Sequence, residues 1–251
     1  MKRAGRLWAA ALAALGSCAA AGDGSACRGE SYLGARYTVC EVDMDQADLR
    51  LFLYDEAGAP YGQFLAIERA LSDRGEHLAF GMNAGMYHED RAPVGLYVED
   101  GREIRPLVER ASGGNFGLLP NGVFCLGDGR ADVMETDRYA RERPDCRYAT
   151  QSGPMLVIDG ELHPRFLQDG TSVYVRNGVG TTADGKRAVF VISDEAVNFH
   201  QFGSFFRDHL KLPQALYFDG SVSRLYAPGL GRNDFGFSLG PIVGLVTSEA
   251  S

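Results

Sequence analysis

Residues 173–194 read VYVRNGVGTTADGKRAVFVISD. Two runs of β-forming residues, 173–179 and 188–192, flank the dipeptide Asp184-Gly185. An Asp-Gly pair between such runs favours a type I′ turn, because both central residues must take positive φ. The segment therefore reads as a β-hairpin. The same signature recurs at Asp100-Gly101, Asp128-Gly129 and Asp159-Gly160. It predicts hairpins joining 96–98 to Ile104, 124–126 to Val133, and 155–158 to Leu162. Further strands are expected at 36–44, which alternates, at 48–54 with Leu49, Leu51 and Leu53 on one face, and at 215–218, running into Asp219-Gly220. Two segments carry helical periodicity instead. Residues 63–74 place Phe64, Ile67 and Leu71 on one face, and residues 198–210 align Phe199, Phe202, Phe206 and Leu210. Asn198 followed by Gln201 resembles a capping box at the start of the second. The expected class is α+β: a mixed, largely antiparallel sheet built from hairpins, with two main helices.

The chain has 251 residues, 45% of them hydrophobic and 23% charged, which suits a packed globular protein. Its 32 glycines are close to twice the usual share, yet they follow no short period, so collagen-like and simple-repeat architectures are excluded. Lys and Arg number 25 against 33 Asp and Glu, a net charge of −8. Such a chain lacks the basic field that nucleic acid requires, so no nucleic-acid partner is expected.

Residues 1–21, MKRAGRLWAAALAALGSCAAA, have the basic start and short apolar run of a secretory signal. Two cleavage readings compete. Ala19-Ala20-Ala21 suits an ordinary signal peptidase, whereas Leu15-Gly16-Ser17-Cys18 resembles a bacterial lipobox whose Cys18 becomes lipidated. The five cysteines are Cys18, Cys27, Cys40, Cys125 and Cys146. Assigning Cys18 to lipid leaves four, an even number suited to two disulfides in an exported chain. Pairing of sequence neighbours gives Cys27–Cys40 and Cys125–Cys146, one of three possible connectivities. The expected organisation is a signal peptide at 1–17, a tether at 18–30 and one catalytic domain at 31–251. The location is periplasmic or tethered to the outer membrane, with secretion as the alternative; any membrane contact runs through a lipid on Cys18.

Zinc-ligand spacing, a nucleophile elbow and a phosphate-binding P-loop are all missing from the sequence. No cofactor and no metal site are expected. Three polar, glycine-laced segments remain, each beside a predicted strand, where rigid scaffolds hold functional groups. They are Gly81-Met-Asn83-Ala-Gly85-Met-Tyr87 with Pro93-Val-Gly95; Ser152-Gly153-Pro154 with Arg176-Asn177 beyond it; and Asp219-Gly220-Ser221-Val222-Ser223 with Asp194.

The order and spacing of these segments, over about 83–244, resemble the phosphodiester glycosidase family, relatives of the lysosomal uncovering enzyme, in a compact bacterial form. The glycine-rich D-G-G-G-S loop of better-known members keeps only its first glycine here, Gly220. The resemblance implies hydrolysis of the glycosyl C1–O bond of a sugar-1-phosphodiester. Arg176 would hold phosphate, and Asp219 would act as base or nucleophile with Asp194 as its partner. Asn83, Gly85, Tyr87, Ser152, Asn177, Gly220, Ser221 and Ser223 would bind substrate, a sugar-phosphate small molecule or a cell-envelope glycopolymer. The competing reading is a non-catalytic envelope lipoprotein that binds sugar-phosphate polymers. A third keeps the enzyme and makes Asp194 and Asp219 ligands of a metal ion.

Overall fold

The computed structural model describes residues 25–110, 113–219 and 222–248. The expected signal peptide, Cys18 and the site candidates Gly220 and Ser221 lie outside the described residues. In chain order the strands begin with β1 (Ser25–Tyr32), β2 (Ala35–Asp43), β3 (Asp48–Phe52), β4 (Glu76–Asn83), β5 (Tyr97–Glu99) and β6 (Arg102–Arg105). Next come β7 (Gly122–Gly127), β8 (Arg130–Glu135), β9 (Tyr148–Ser152), β10 (Met155–Ile158), β11 (Glu161–Leu162) and β12 (Asn177–Thr181). The last are β13 (Arg187–Ser193), β14 (Gln214–Asp219), β15 (Leu225–Ala227), β16 (Arg232–Asn233) and β17 (Ile242–Ser248). The helices are α1 (Phe64–Ser72), α2 (Thr136–Glu142) and α3 (Phe199–Ser204), the last continuing into a π-helical turn over Phe205–His209.

Three sheets form: a seven-stranded one in the order β1-β2-β13-β12-β14-β10-β11, and two of five strands, β16-β15-β4-β17-β3 and β6-β5-β9-β7-β8. The four predicted hairpins are the antiparallel pairs β5–β6, β7–β8, β10–β11 and β12–β13. Only two of their turns have positive φ at both residues, Asp100-Gly101 and Asp159-Gly160. At the other two, Gly129 and Gly185 alone adopt it. In the Asp184 turn the aspartate instead accepts from the Lys186 N–H (3.0 Å) and the Thr182 hydroxyl (2.6 Å). A fifth hairpin, β1–β2, turns at Leu33-Gly34 without an Asp-Gly signal, and it corrects the tether expected at 18–30, because residues 25–30 belong to β1.

The sheets enclose one apolar core. Phe190 of the large sheet meets Phe80 of the second at 5.2 Å between ring centroids and Phe124 of the third at 5.7 Å. Each sheet also has a helix on its outer face. Ala188, Phe190 and Ile192 of β13 point to the shared core, while Val189 and Val191 face Phe202, Phe205 and Phe206 of α3 and the π turn. Phe64, Ile67 and Leu71 of α1 pack on β3, β4 and β17, the stripe the sequence predicts. Tyr139 of α2 packs beside Val123 and Cys125. Strands covered on both faces read as unbroken apolar runs rather than alternating ones, which is why 188–192 and 215–218 carry no polar interruption.

The second predicted helix starts where expected. Asn198 Oδ1 accepts from the Gln201 N–H at 2.8 Å, but the Gln201 side chain donates to the Leu33 carbonyl instead of returning to Asn198, so only half of a capping box forms. The helix α2 was not foreseen; its seven residues bury only Thr136 and so show no apolar stripe. The disulfides are Cys27–Cys40 and Cys125–Cys146. Bonds of this kind persist in oxidising compartments, such as the periplasm or the extracellular space.

His163 gives the fold an acid-sensitive point. It is buried, stacked on Phe166 at 4.8 Å, and its Nδ1 accepts from the Arg165 N–H at 3.3 Å. Burial pushes its pKa below the ordinary 6.5. The unfolded chain therefore takes up a proton at a higher pH than the folded one. The stability involved is present above pH 6.5 and is lost as pH falls from there toward the lower folded value. Urea unfolding at neutral and mildly acidic pH checks this: His163→Gln should lose less stability on acidification than the native chain, and equal losses would remove His163 as the cause.

Candidate active site

A buried pair of amides organises the ends of three strands. Asn83 closes β4 and Asn177 opens β12, and neither is exposed. Asn177 Nδ2 donates to the Asn83 carbonyl at 2.8 Å and lies 3.2 Å from Asn83 Oδ1. Each amide oxygen then receives the chain that follows β14. Asn177 Oδ1 accepts from the Asp219 N–H at 3.3 Å, and Asn83 Oδ1 accepts from the Arg224 N–H at 2.8 Å. Ser223 Oγ lies 2.6 Å from the Asp219 carbonyl and 3.1 Å from Asn177 Oδ1. Buried polar groups must be paired, and here the pairing orients the segment on both sides of residues 220–221.

A cleft of about 640 Å³ opens beside this network. Asp219 and Tyr87 line it, with Arg91, His88, Phe116, Val222 and Phe237. Burial, and then the negative charge of Asp219, raise the Tyr87 phenol above its ordinary pKa, with Arg91 and Arg224 opposing. Tyr87 thus stays protonated and able to donate; its hydroxyl lies 3.3 Å from the Ser238 carbonyl. The Arg91 guanidinium stands over the Tyr87 ring, 5.4 Å from its centroid. A carboxylate, a phenol and a guanidinium therefore share one concave surface. Among the described residues, no group of three or more His, Cys, Asp or Glu side chains is gathered in a way that could hold a metal ion.

Other expected site residues lie elsewhere. Arg176 is fully buried. Its Nε donates to the Val197 carbonyl (2.8 Å), Nη1 to the Tyr217 hydroxyl (3.1 Å) and Nη2 to the Ser172 carbonyl (2.8 Å), and the guanidinium stacks on Phe199 at 3.6 Å. With every guanidinium nitrogen engaged inside the protein, Arg176 has no free edge for phosphate. It reaches Tyr217, on which the charge of Asp219 also acts. The Asp194 carboxylate accepts from Arg232 Nη1 (2.7 Å) and from the Thr38 hydroxyl (3.2 Å). Ser152 Oγ donates to the Phe218 carbonyl at 2.7 Å, bracing the strand that carries Asp219.

The glycines of these segments make room for the protein itself. A Cβ on Gly85 would stand 2.8 Å from Thr150 Oγ1, one on Gly153 would stand 2.5 Å from Asn121 Cβ, and one on Gly178 would meet the Leu216 carbonyl at 2.5 Å. The sequence reading also missed Arg91 and Arg224. Arg91 sits in the tight loop between Tyr87 and Pro93, where the two halves of one motif are brought together by the bridge Tyr87–Pro93. Arg224 immediately follows Ser223. A basic residue inside or beside a motif was the available signal.

Comparison with known proteins gives the family and the fold. A family model described as phosphodiester glycosidase matches residues 76–238. The uncharacterized protein YigE of Escherichia coli (strain K12) is 33% identical over 181 residues, 72% of this chain and 70% of that one. The fold resembles the catalytic domain of zebrafish N-acetylglucosamine-1-phosphodiester alpha-N-acetylglucosaminidase, auto-inhibited by its pro-peptide. That match has a TM-score of 0.59 at 14% identity and covers 84% of this chain and 76% of that one. It also resembles a putative exported protein of Burkholderia pseudomallei K96243, with a TM-score of 0.54 at 12% identity over 84% of this chain and 74% of the other. With residues of its first and third motif segments lining one cleft, the chain belongs to the phosphodiester glycosidase family.

Proposed function

We propose that the cleft hydrolyses the glycosyl C1–O bond of a sugar-1-phosphodiester, with Asp219 activating water or attacking C1 itself. The observation that carries this reading is the placement of Asp219 on the cleft surface beside Tyr87 and Arg91, in a chain of this family. Glycosyl transfer passes through an oxocarbenium-like transition state, which a carboxylate close to C1 stabilises. In the direct route, a water oxygen bonds to C1 and its proton passes to Asp219. The C1–O bond breaks, and its electron pair leaves on the phosphate. Phosphate is already a good leaving group, so little acid assistance is needed, and one carboxylate in the cleft suffices.

The other groups support this step. Arg91 provides a solvent-reachable cation toward the phosphate, the role first expected of Arg176. Tyr87, held protonated, turns its hydroxyl from the Ser238 carbonyl to donate to a substrate oxygen. Asp194 positions rather than reacts: it holds Arg232, which in turn grips Asp234 through Nε and Nη2. Ser223 and Asn177 fix the backbone at Asp219. The net charge of −8 does not oppose an anionic ligand, because exposed charges are screened beyond about 8–10 Å at physiological salt.

We place the protein in the bacterial envelope as an exported single-domain hydrolase with a tether after Cys18. Its substrate is then a sugar-phosphate small molecule or an envelope glycopolymer. Two disulfides support export.

Two variants separate catalysis from framework. Asp219→Asn should lower turnover of a sugar-1-phosphodiester by about 10²–10⁴-fold, the usual worth of a general base, with the unfolding midpoint little changed. Near-native turnover would overturn the assignment. Arg176→Met leaves two carbonyls and a hydroxyl unpaired in the interior, where each such loss costs about 1–3 kcal/mol. It should register in urea unfolding, and an unfolding curve that superimposes on the native one would contradict the structural role.

A further inference from the structure

Arg224 is 4% exposed, and one of its guanidinium nitrogens, Nη1, reaches Gln63 Oε1 at 3.3 Å. Its Nε and Nη2 are buried and have no hydrogen-bond partner among the described residues. These two atoms form the side-on edge with which a guanidinium grips an oxyanion through two parallel bonds. The protein uses that edge on its own carboxylates. Arg130 holds Asp132 through Nε (2.6 Å) and Nη2 (2.7 Å), and Arg207 holds Asp208 through the same atoms (2.7 and 2.9 Å). Arg224 presents the same edge unpaired among the described residues. A buried charge without a counter-charge is costly, so the position is explained best by an anion that arrives from outside.

Among the described residues no carboxylate pairs with that edge. Asp234 lies close enough for its charge to act on Arg224, but its carboxylate already takes Arg232 Nε and Nη2 and the Leu225 N–H. The guanidinium stands directly behind the cleft wall. Its charge acts on Tyr87, which lines the cleft, and Arg224 Nη1 is 3.5 Å from where a Cβ on Gly236 would stand. The covering segment, Phe235 to Ser238, includes two exposed aromatics, Phe235 (76%) and Phe237 (82%), the second on the cleft surface. It is pinned by the Asp234 N–H to Leu225 O at 3.0 Å and the Leu239 N–H to Gly62 O at 2.8 Å. Between these, Gln63 Nε2 donates to the Gly236 carbonyl (3.2 Å) and Tyr87 to the Ser238 carbonyl (3.3 Å). Gln63 thus holds the guanidinium with its oxygen and the covering segment with its nitrogen.

We propose that the Nε–Nη2 edge of Arg224 is the phosphate-binding group of this cleft, reached when the segment Phe235 to Ser238 lifts from it. A phosphodiester has two non-bridging oxygens sharing one negative charge, which match the two parallel N–H groups. Arg224 then supplies the deep contact and Arg91 the contact at the mouth. The choice of phosphate as ligand rests on the sugar-phosphodiester reading of the cleft; the open anion-binding edge does not.

Dimethyl phosphate, a phosphodiester with no sugar, tests this by NMR titration of the intact chain. Saturable binding is expected, weakened at least tenfold in Arg224→Met. Arg224→Lys, which keeps the charge and loses the paired edge, should fall between the two, and it carries the test alone if Arg224→Met does not fold. No binding to the native chain, or binding to either variant within twofold of native, would overturn the proposal. The titration needs no turnover. A chain that binds dimethyl phosphate through Arg224 yet hydrolyses no sugar-1-phosphodiester would refute the hydrolase reading and uphold this one.

Discussion

The site depends on the buried contact between Asn83 and Asn177. Two amides with no exposed surface must satisfy each other or leave polar atoms stranded, and each such atom costs about 1–3 kcal/mol. Their mutual bonds join the end of β4 in one sheet to the start of β12 in another. The oxygens that remain take up the Asp219 and Arg224 N–H groups. A carboxylate on the cleft surface and an open guanidinium edge behind it are thereby fixed by one amide pair. The sheets can hold that pair in place because they meet through a tightly packed core, with Phe190 touching an aromatic ring from each of the other two.

Much of this arrangement was legible in the sequence, for physical reasons. Asp-Gly turns mark hairpins locally, so the four pairs could be read without long-range information. The stripe of Phe64, Ile67 and Leu71 marked α1 in the same way, and the two disulfides joined the sequence neighbours. What was not legible is how local elements assemble. Nothing in the runs of β13 and β14 tells that three sheets share one core, because a strand buried on both faces looks alike in any such packing. The helix α2 escaped notice because its short length leaves almost no buried stripe to read.

The site shows the same division. Asn83, Tyr87, Asn177 and Asp219 were found as polar residues at strand ends, and the structure brings them to one region. Arg176 was singled out by its place in a motif, but successive strand residues point to opposite faces. Val179 faces the shared core two residues beyond Asn177, whereas Arg176 turns to the helix side and stacks on Phe199. A shift of one residue separates a framework arginine from a site residue. Arg91 and Arg224 sit inside or beside a motif, and their importance comes from what surrounds them: a cleft in one case, an unpaired donor edge in the other.

The central claim is that the bond broken lies between sugar and oxygen, not between oxygen and phosphorus. Hydrolysis of a sugar-1-phosphodiester by the intact chain in water enriched in heavy oxygen, followed by mass spectrometry of both products, measures this directly. The account predicts the label on the anomeric hydroxyl of the released sugar and none in the phosphate product. Label in the phosphate would show attack at phosphorus and contradict it.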